Sequence, residues 1–228
     1  DGLIDLCVVD QNQFYTLQNT TVGINLVYHN TASAKTETIY KLSFTEYPNP
    51  MFSGNIQCQG KTISLMLNTS RGLKIVTIEN NKIVNKDVPL RWYSKCIKKD
   101  NDYYLLQANI NGSTIYKWNK EGLQLVFKIE NYIESFDILN NKLVFILQTA
   151  SKSIIQEVDL TNNVVLAENE MSFGIRQVVW ANDSVVLFNS EQSGIWNGQV
   201  WNIQSNKVNK VTNYRSNIAY HFYSNQVF

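Results

Sequence analysis

The stretch Ile154–Leu166, IIQEVDLTNNVVL, holds two short runs in which apolar and polar residues alternate, separated by Thr161-Asn162-Asn163. Period-two alternation is the pattern of a half-buried strand, and Asn tolerates the positive φ of a tight turn, so the stretch reads as a β-hairpin. Directly upstream, IESFDIL (133–139) and KLVFILQ (142–148) flank Asn140-Asn141 and read the same way. Tyr132 to Met171 therefore holds four short strands. Whether this layout occurs once or repeats decides the fold.

It repeats. Residues 175–213 read IRQVVWA, SVVLFNS, GQVWNIQ and KVNKVTN; residues 93–129 read YSKCIKK, DYYLLQA, TIYKWNK and LQLVFKI. Residues 55–88 read NIQCQG, TISLMLN, LKIVTIE and KIVNKDV. A weaker copy, QFYTLQN, GINLVYH and TETIYKL, opens the chain over 13–42, with a fourth strand expected near Phe44 and ending before Pro48. The centres assigned to second strands, Leu26, Leu65, Leu105, Phe145 and Leu187, are 39, 40, 40 and 42 residues apart. The apolar residues closing the third strands, Leu42, Ile78, Trp118, Val158 and Trp201, are 36, 40, 40 and 43 apart.

Four strands at a period near 40 make the blade of a β-propeller, and the chain reads as all-β, a single domain over 1–228. Its four-stranded antiparallel units fall near 13–50, 53–89, 90–130, 131–171 and 172–213. Such a blade is apolar on both faces and needs neighbours to cover them. The terminal pieces, 3–10 and 216–228, read as strands of a further blade closed by both termini, which makes six blades the expectation and five the alternative. A third reading takes the chain as part of a longer propeller protein, because it stops at Phe228 within an apolar run.

By repeat length and strand order the chain resembles the β-propeller superfamily over essentially all of its 228 residues. The Gly-His and Trp-Asp pair of tryptophan–aspartate repeats, the Gly-Gly doublet of kelch repeats, the Ser-x-Asp-x-Gly-x-x-Trp box of sialidases and the Asp-Gly turn of TolB-like propellers are all missing. Asn-Asn turns, including Asn80-Asn81, stand in place of the last.

A net charge of +1 gives no electrostatic footprint for nucleic acid or an anionic surface, and no apolar run approaches the roughly 20 residues that span a bilayer. The start, DGLIDLCVVD, lacks a basic region followed by a long apolar one, so no signal peptide is expected; the missing Met reads as processing or truncation. That start and the low charged fraction of 17% favour an extracytoplasmic or secreted setting. Cys7, Cys58 and Cys96 are too scattered for a zinc site; buried thiols are expected, with a Cys58–Cys96 disulfide as the alternative. Four Asn-x-Ser/Thr sequons, at Asn19, Asn68, Asn111 and Asn182, are about what chance gives in so Asn-rich a chain.

His29 and His221 form no zinc-hydrolase pattern, and neither a Gly-x-Ser-x-Gly elbow nor a phosphate-cradling Gly-rich loop is present. No cofactor or metal is expected. Polar residues on first strands, among them Glu134, Asp137, Arg176 and His221, are candidates for a ligand site. Glu134 and Asp137 lie three apart on one strand and point to opposite faces, a poor pair for glycoside hydrolysis. GIWNGQVWNI (194–203) sets Trp196 and Trp201 around Asn197-Gly198, an arrangement able to grip a sugar with an aromatic face and an amide. The plain alternative is packing, since Trp201 fills a slot that is apolar in every unit. LRWYSKCIKKDNDYY (90–104) mixes basic and aromatic residues, but its alternation favours an ordinary strand with a solvated face.

The expected function is a non-enzymatic scaffold that binds a protein or glycan through Trp196, Asn197, Trp201, Glu134, Arg176 and His221. The alternatives are a glycosidase- or lyase-type enzyme and the propeller portion of a larger processed protein.

Overall fold

The computed structural model describes residues 2–45, 51–52, 56–59, 62–69, 72–79, 82–88 and 92–214. His221, the terminal piece 216–228 and the Asn80-Asn81 turn lie outside the described residues. Among those described, all regular structure is β, in five antiparallel sheets. Sheet one is β1 (Gly2–Val8), β2 (Gln13–Asn19), β3 (Gly23–Asn30) and β4 (Lys35–Ser43) in order. In sheet two, β7 (Thr62–Thr69), β8 (Gly72–Glu79) and β9 (Lys82–Asp87) follow a first strand split into β5 (Met51–Phe52) and β6 (Gln57–Gln59), both paired to β7.

Sheet three is β10 (Lys95–Lys99), β11 (Asp102–Asn109), β12 (Gly112–Asn119) and β13 (Gly122–Ile129). Sheet four is β14 (Ile133–Leu139), β15 (Lys142–Gln148), β16 (Ser153–Asp159) and β17 (Val164–Met171). Sheet five is β18 (Ile175–Asn182), β19 (Val185–Ser190), β20 (Asn197–Asn202) and β21 (Lys207–Lys210). The chain divides into two compact units, Asp1–Leu105 and Leu106–Phe228, with the division inside β11.

Five sheets, the alternative count, replace the expected six. The N-terminal piece 3–10 supplies the first strand of sheet one, beside β2, and not an outer strand of a further blade. GINLVYH and TETIYKL are thus third and fourth strands, and Phe44 lies in a turn. The cause is a break in the period: third strands begin at Gly23, Gly72, Gly112, Ser153 and Asn197, intervals of 49, 40, 41 and 44. At two of these starts the fourth strand crowds the backbone. A Cβ on Gly23 would lie 2.2 Å from the Leu42 carbonyl oxygen, and one on Gly112 would lie 2.4 Å from that of Ile129. Only glycine fits such an approach.

In the N-terminal unit, Leu17, Ile24, Leu26 and Leu42 of sheet one pack with Ile63, Leu65, Val76 and Ile78 of sheet two. Each such aliphatic side chain contributes about 1.5–3 kcal/mol on burial, so the facing sheets hold each other. Polar side chains add directional links. The Asp5 carboxylate accepts hydrogen bonds from Leu6 N (2.8 Å) and from Ile56 N (3.0 Å), just before β6. Lys98 N donates to Gln57 Oε1 (2.6 Å), and Asn68 clasps Tyr93 through both its backbone N–H and C=O.

Burial raises the Asp5 pKa above its ordinary value, and the two backbone donors pull it down without cancelling that rise. The folded chain therefore holds this proton more tightly than the unfolded chain. The associated stability is complete below the ordinary carboxylate range and is lost as pH rises through the folded pKa. The stability of the wild type minus that of Asp5→Asn should fall as pH rises from below the ordinary carboxylate range and level off once pH exceeds the raised pKa. Urea titrations across that range measure it; a difference that is flat or grows with pH contradicts the assignment.

The cysteines depart from the expected alternatives. Cys7 and Cys58, with Cα atoms 6.0 Å apart, form a disulfide joining β1 to β6, while Cys96 is a free, buried thiol. The Cys58–Cys96 pairing is thereby corrected: β1 belongs to sheet one and lies against β6, a neighbour hidden while 3–10 was read as part of another blade.

In the C-terminal unit the same devices recur. Val144, Ile146 and Ile155 of sheet four pack against Val178, Trp180, Phe188 and Trp201 of sheet five. Buried Asp137 takes hydrogen bonds from Ile138 N (2.8 Å) and Trp180 N (2.9 Å), as Asp5 does in sheet one. Ser135 Oγ accepts from Val178 N (3.2 Å), and Gln148 donates to the Ile175 carbonyl (2.6 Å). Three outermost strands carry a bulge whose unpaired residue is apolar: Ile39 in β4, Val126 in β13 and Leu166 in β17. No helix among the described residues is long and apolar enough to cross a membrane.

Candidate ligand site on the fourth and fifth sheets

β18 begins, β19 ends and β20 begins at one end of sheet five, where Ser190 pairs with both Ile175 and Asn197. The β19–β20 connection here is residues 191–196, against 110–111 between β11 and β12. The longer loop is short-circuited by its own hydrogen bonds. Glu191 N donates to the Gly174 carbonyl (3.1 Å), Gly194 N donates to the Glu191 carbonyl (2.8 Å), and Gly194 takes φ +74° to close the turn. Trp196 leaves this loop half-buried, and the Arg176 guanidinium lies over its ring, 3.9 Å from the centroid. At that separation the cation is attracted to the face of the ring.

The first strands are irregular at this end. In β14 the register skips Glu134, an exposed bulge residue; in β18 it skips Gln177 and Val178. Gln177 has φ +58°, whereas the other non-glycine residues with positive φ occupy turns between strands. Bulges re-aim side chains, and strained backbone gathers where function demands it. The bonds from Val178 to Ser135 and from Trp180 to Asp137 share one offset and set β14 alongside β18. Tyr132 is exposed just before β14; burial and then the Glu134 charge raise its phenol pKa.

The other sequence candidates have structural tasks. Trp201 is fully buried in the core between sheets four and five, its Nε1 donating to Asn206 Oδ1 (2.8 Å). Asn197 is also buried; its Oδ1 accepts from Thr212 Oγ1 (3.2 Å) and Tyr214 N (2.7 Å), holding the segment after β21. Asp137 is committed to backbone donors, so Glu134 has no catalytic partner in it. Around this end lies an amide layer that the sequence reading missed. Asn189 Nδ2 donates to Gln177 Oε1 (2.6 Å), and Gln199 Nε2 donates to Ser190 Oγ (2.5 Å) and Gln192 Oε1 (3.1 Å). Of the sequon asparagines, Asn68 is buried and bonded to Tyr93, while Asn19, Asn111 and Asn182 are exposed.

No family model matches the chain, and no curated protein does. Solved structures do. TolB from Acinetobacter baumannii aligns with TM-score 0.64 at 10% identity, covering 91% of this chain and 53% of that one. A chain of the nidogen–laminin complex aligns with TM-score 0.63 at 10% identity, covering 90% of this chain and 78% of that one. The fold is that of a β-propeller. A puromycin-hydrolysing peptidase of Mycobacterium tuberculosis shares this propeller likeness, with TM-score 0.62 at 7% identity over 93% of the present chain and 39% of the peptidase. The propeller thus spans about half of TolB and less of the peptidase. Identities this low speak for the propeller fold alone.

Proposed function

We propose that this propeller is a non-enzymatic binding scaffold that takes a glycan on the end of the fourth and fifth blades carrying Tyr132, Glu134, Arg176 and Trp196. The observation that carries the reading is the Arg176–Trp196 stack, held between a bulged strand and a tightened loop. Binding groups on a rigid scaffold lose little freedom when a ligand arrives. One fact favours binding over catalysis: Asp137 is consumed by backbone donors and is no partner for Glu134. A protein ligand is the second reading, supported by the nidogen–laminin complex among the similar structures. The Cys7–Cys58 disulfide supports an extracytoplasmic setting, because such bonds persist in oxidising compartments.

A glycan array probed in parallel with the wild type and Trp196→Ala tests the reading. Specific binding is expected, with at least about tenfold loss in the variant, the cost of roughly one good stacking contact. Equal binding by the two proteins would move the site elsewhere. Silence on the array, with a protein captured from the native source by the wild type and not by the variant, would establish the second reading.

A further inference from the structure

The geometry points to a second binding surface: a groove between the outermost strands of sheets three and four that takes the hydrocarbon chain of a fatty acid and holds its carboxylate at Lys128. None of the residues of the proposed glycan site lines this groove.

β13 and β17 flank a groove of about 400 Å³, within the roughly 300–1,000 Å³ of small-molecule sites. Its buried lining is Phe127 and Val158, and the Phe127 ring is backed by Phe145, with centroids 5.4 Å apart. Its exposed apolar lining is Leu125 and Val165, 61% and 49% accessible. β17 opens with Val164, Val165 and Leu166, all three about half exposed. Consecutive exposed apolar residues on an edge strand invite aggregation and are kept where they serve contact with a partner. The outermost strands of sheets one and five are guarded by charge instead, with Lys35, Glu37 and Lys41 on β4 and Lys207 and Lys210 on β21.

The lining selects a hydrocarbon chain over a peptide or a second copy. Every residue of a bound peptide except proline brings an N–H and a C=O that need partners. Gln156 in the lining already donates to Glu168, and the bulges at Val126 and Leu166 interrupt the edges on which an extended backbone would pair. A hydrocarbon brings no such groups. A second copy would need roughly 20–30 residues on each side, whereas β13 and β17 present Leu125, Val164, Val165 and Leu166 as their exposed large hydrophobics. The charge of the lining is carried by Lys128, which is exposed and has no side-chain hydrogen bond or ion pair among the described residues. A lysine lays its stem along apolar surface and keeps its ammonium in water. An apolar chain that ends in a carboxylate complements both parts.

The test is isothermal titration with decanoate and decan-1-ol, each below the concentration at which it aggregates, with methyl-resolved NMR to locate the binding. Decanoate should bind about two- to fivefold more tightly than decanol at low salt, the range of an exposed ion pair, and the difference should shrink as salt rises. Shifts should concentrate at the methyl groups of Leu125, Val126, Val158 and Val165. Lys128→Gln should bring decanoate to the decanol level and leave decanol unmoved. Val165→Asp sets a carboxylate against the chain at an exposed position and should weaken both ligands at least about tenfold; circular dichroism checks that both variants fold. Equal affinity for acid and alcohol, unchanged by Lys128→Gln, overturns the proposal. So does saturable binding that Val165→Asp leaves intact, and so does the absence of binding by either ligand. A wild-type dimer in sedimentation that Val165→Asp dissociates overturns it as well and gives the groove to a second copy.

Discussion

Removing the Cys7–Cys58 bond, by reductant or as Cys7→Ser/Cys58→Ser, should lower stability by about 4 kcal/mol. The half-cystines are 51 residues apart, and the loop-closure entropy restored to the unfolded chain by opening a loop of that length is on the order of 4 kcal/mol at 25 °C. Against the roughly 5–15 kcal/mol of an ordinary domain, this is a large share. The bond joins the first strands of two sheets that also share a core, so its loss leaves β1 tied to sheet two by the Asp5–Ile56 hydrogen bond and by packing. Urea unfolding with and without reductant gives the magnitude, and the double serine variant should be insensitive to reductant. In the folded chain burial pushes the Cys96 thiol far above the ordinary range and keeps it unreactive; a Cys96→Ser background stops it from exchanging with the disulfide once urea exposes it. An unchanged midpoint on reduction would show that sheets one and two are held by packing and hydrogen bonds alone.

The second large effect separates the two tryptophans of the GIWNGQVWNI segment. Trp201→Ala should cost about 3–5 kcal/mol, because a fully buried indole leaves a cavity between sheets four and five that Val144, Ile146 and Phe188 cannot fill. Trp196→Ala should cost well under half of that, since its ring is half-buried and carries the Arg176 guanidinium over its face. Ligand binding should respond in the opposite order once the remaining folded Trp201 variant is assayed at low temperature. Comparable stability losses in the two variants would mean that Trp196 is a core residue and that the ligand platform is misassigned.

The sequence made the fold legible from residue 55 onward, because the strands in those units alternate or form short apolar runs and most turns between them carry or adjoin Asn or Gly. Second-strand positions Leu65, Leu105, Phe145 and Leu187 fall on β7, β11, β15 and β19 as expected. Leu26 does not: it lies on β3, a third strand, because the first two third strands begin 49 residues apart. A period reports only the spacing of like strands, and a lengthened connection shifts the count by one without disturbing alternation. The signal that would have placed them is the glycine opening β3, β8 and β12 at Gly23, Gly72 and Gly112. It is a steric requirement at two of these positions and not a pattern of hydrophobicity.

The site was legible only in pieces. Arg176 and Trp196 were both visible as candidates, but their stacking depends on a loop that folds back over twenty residues of chain. Asn197 looked like a ligand amide and instead secures Thr212 and Tyr214. The bulges at Glu134 and Gln177 have no residue signature, since a bulge is a mismatch between two strands and belongs to neither sequence alone.

The apolar bulge residues Ile39, Val126 and Leu166 bear on how these molecules behave when crowded. A chain with 17% charged residues has little electrostatic repulsion to keep sheet edges of different molecules apart. Each bulge interrupts the ladder spacing of an outermost strand, so a second molecule meets no long regular row of donors and acceptors on which to zip. On these three strands the guard against edge pairing is backbone geometry in place of charge, and it should be insensitive to salt.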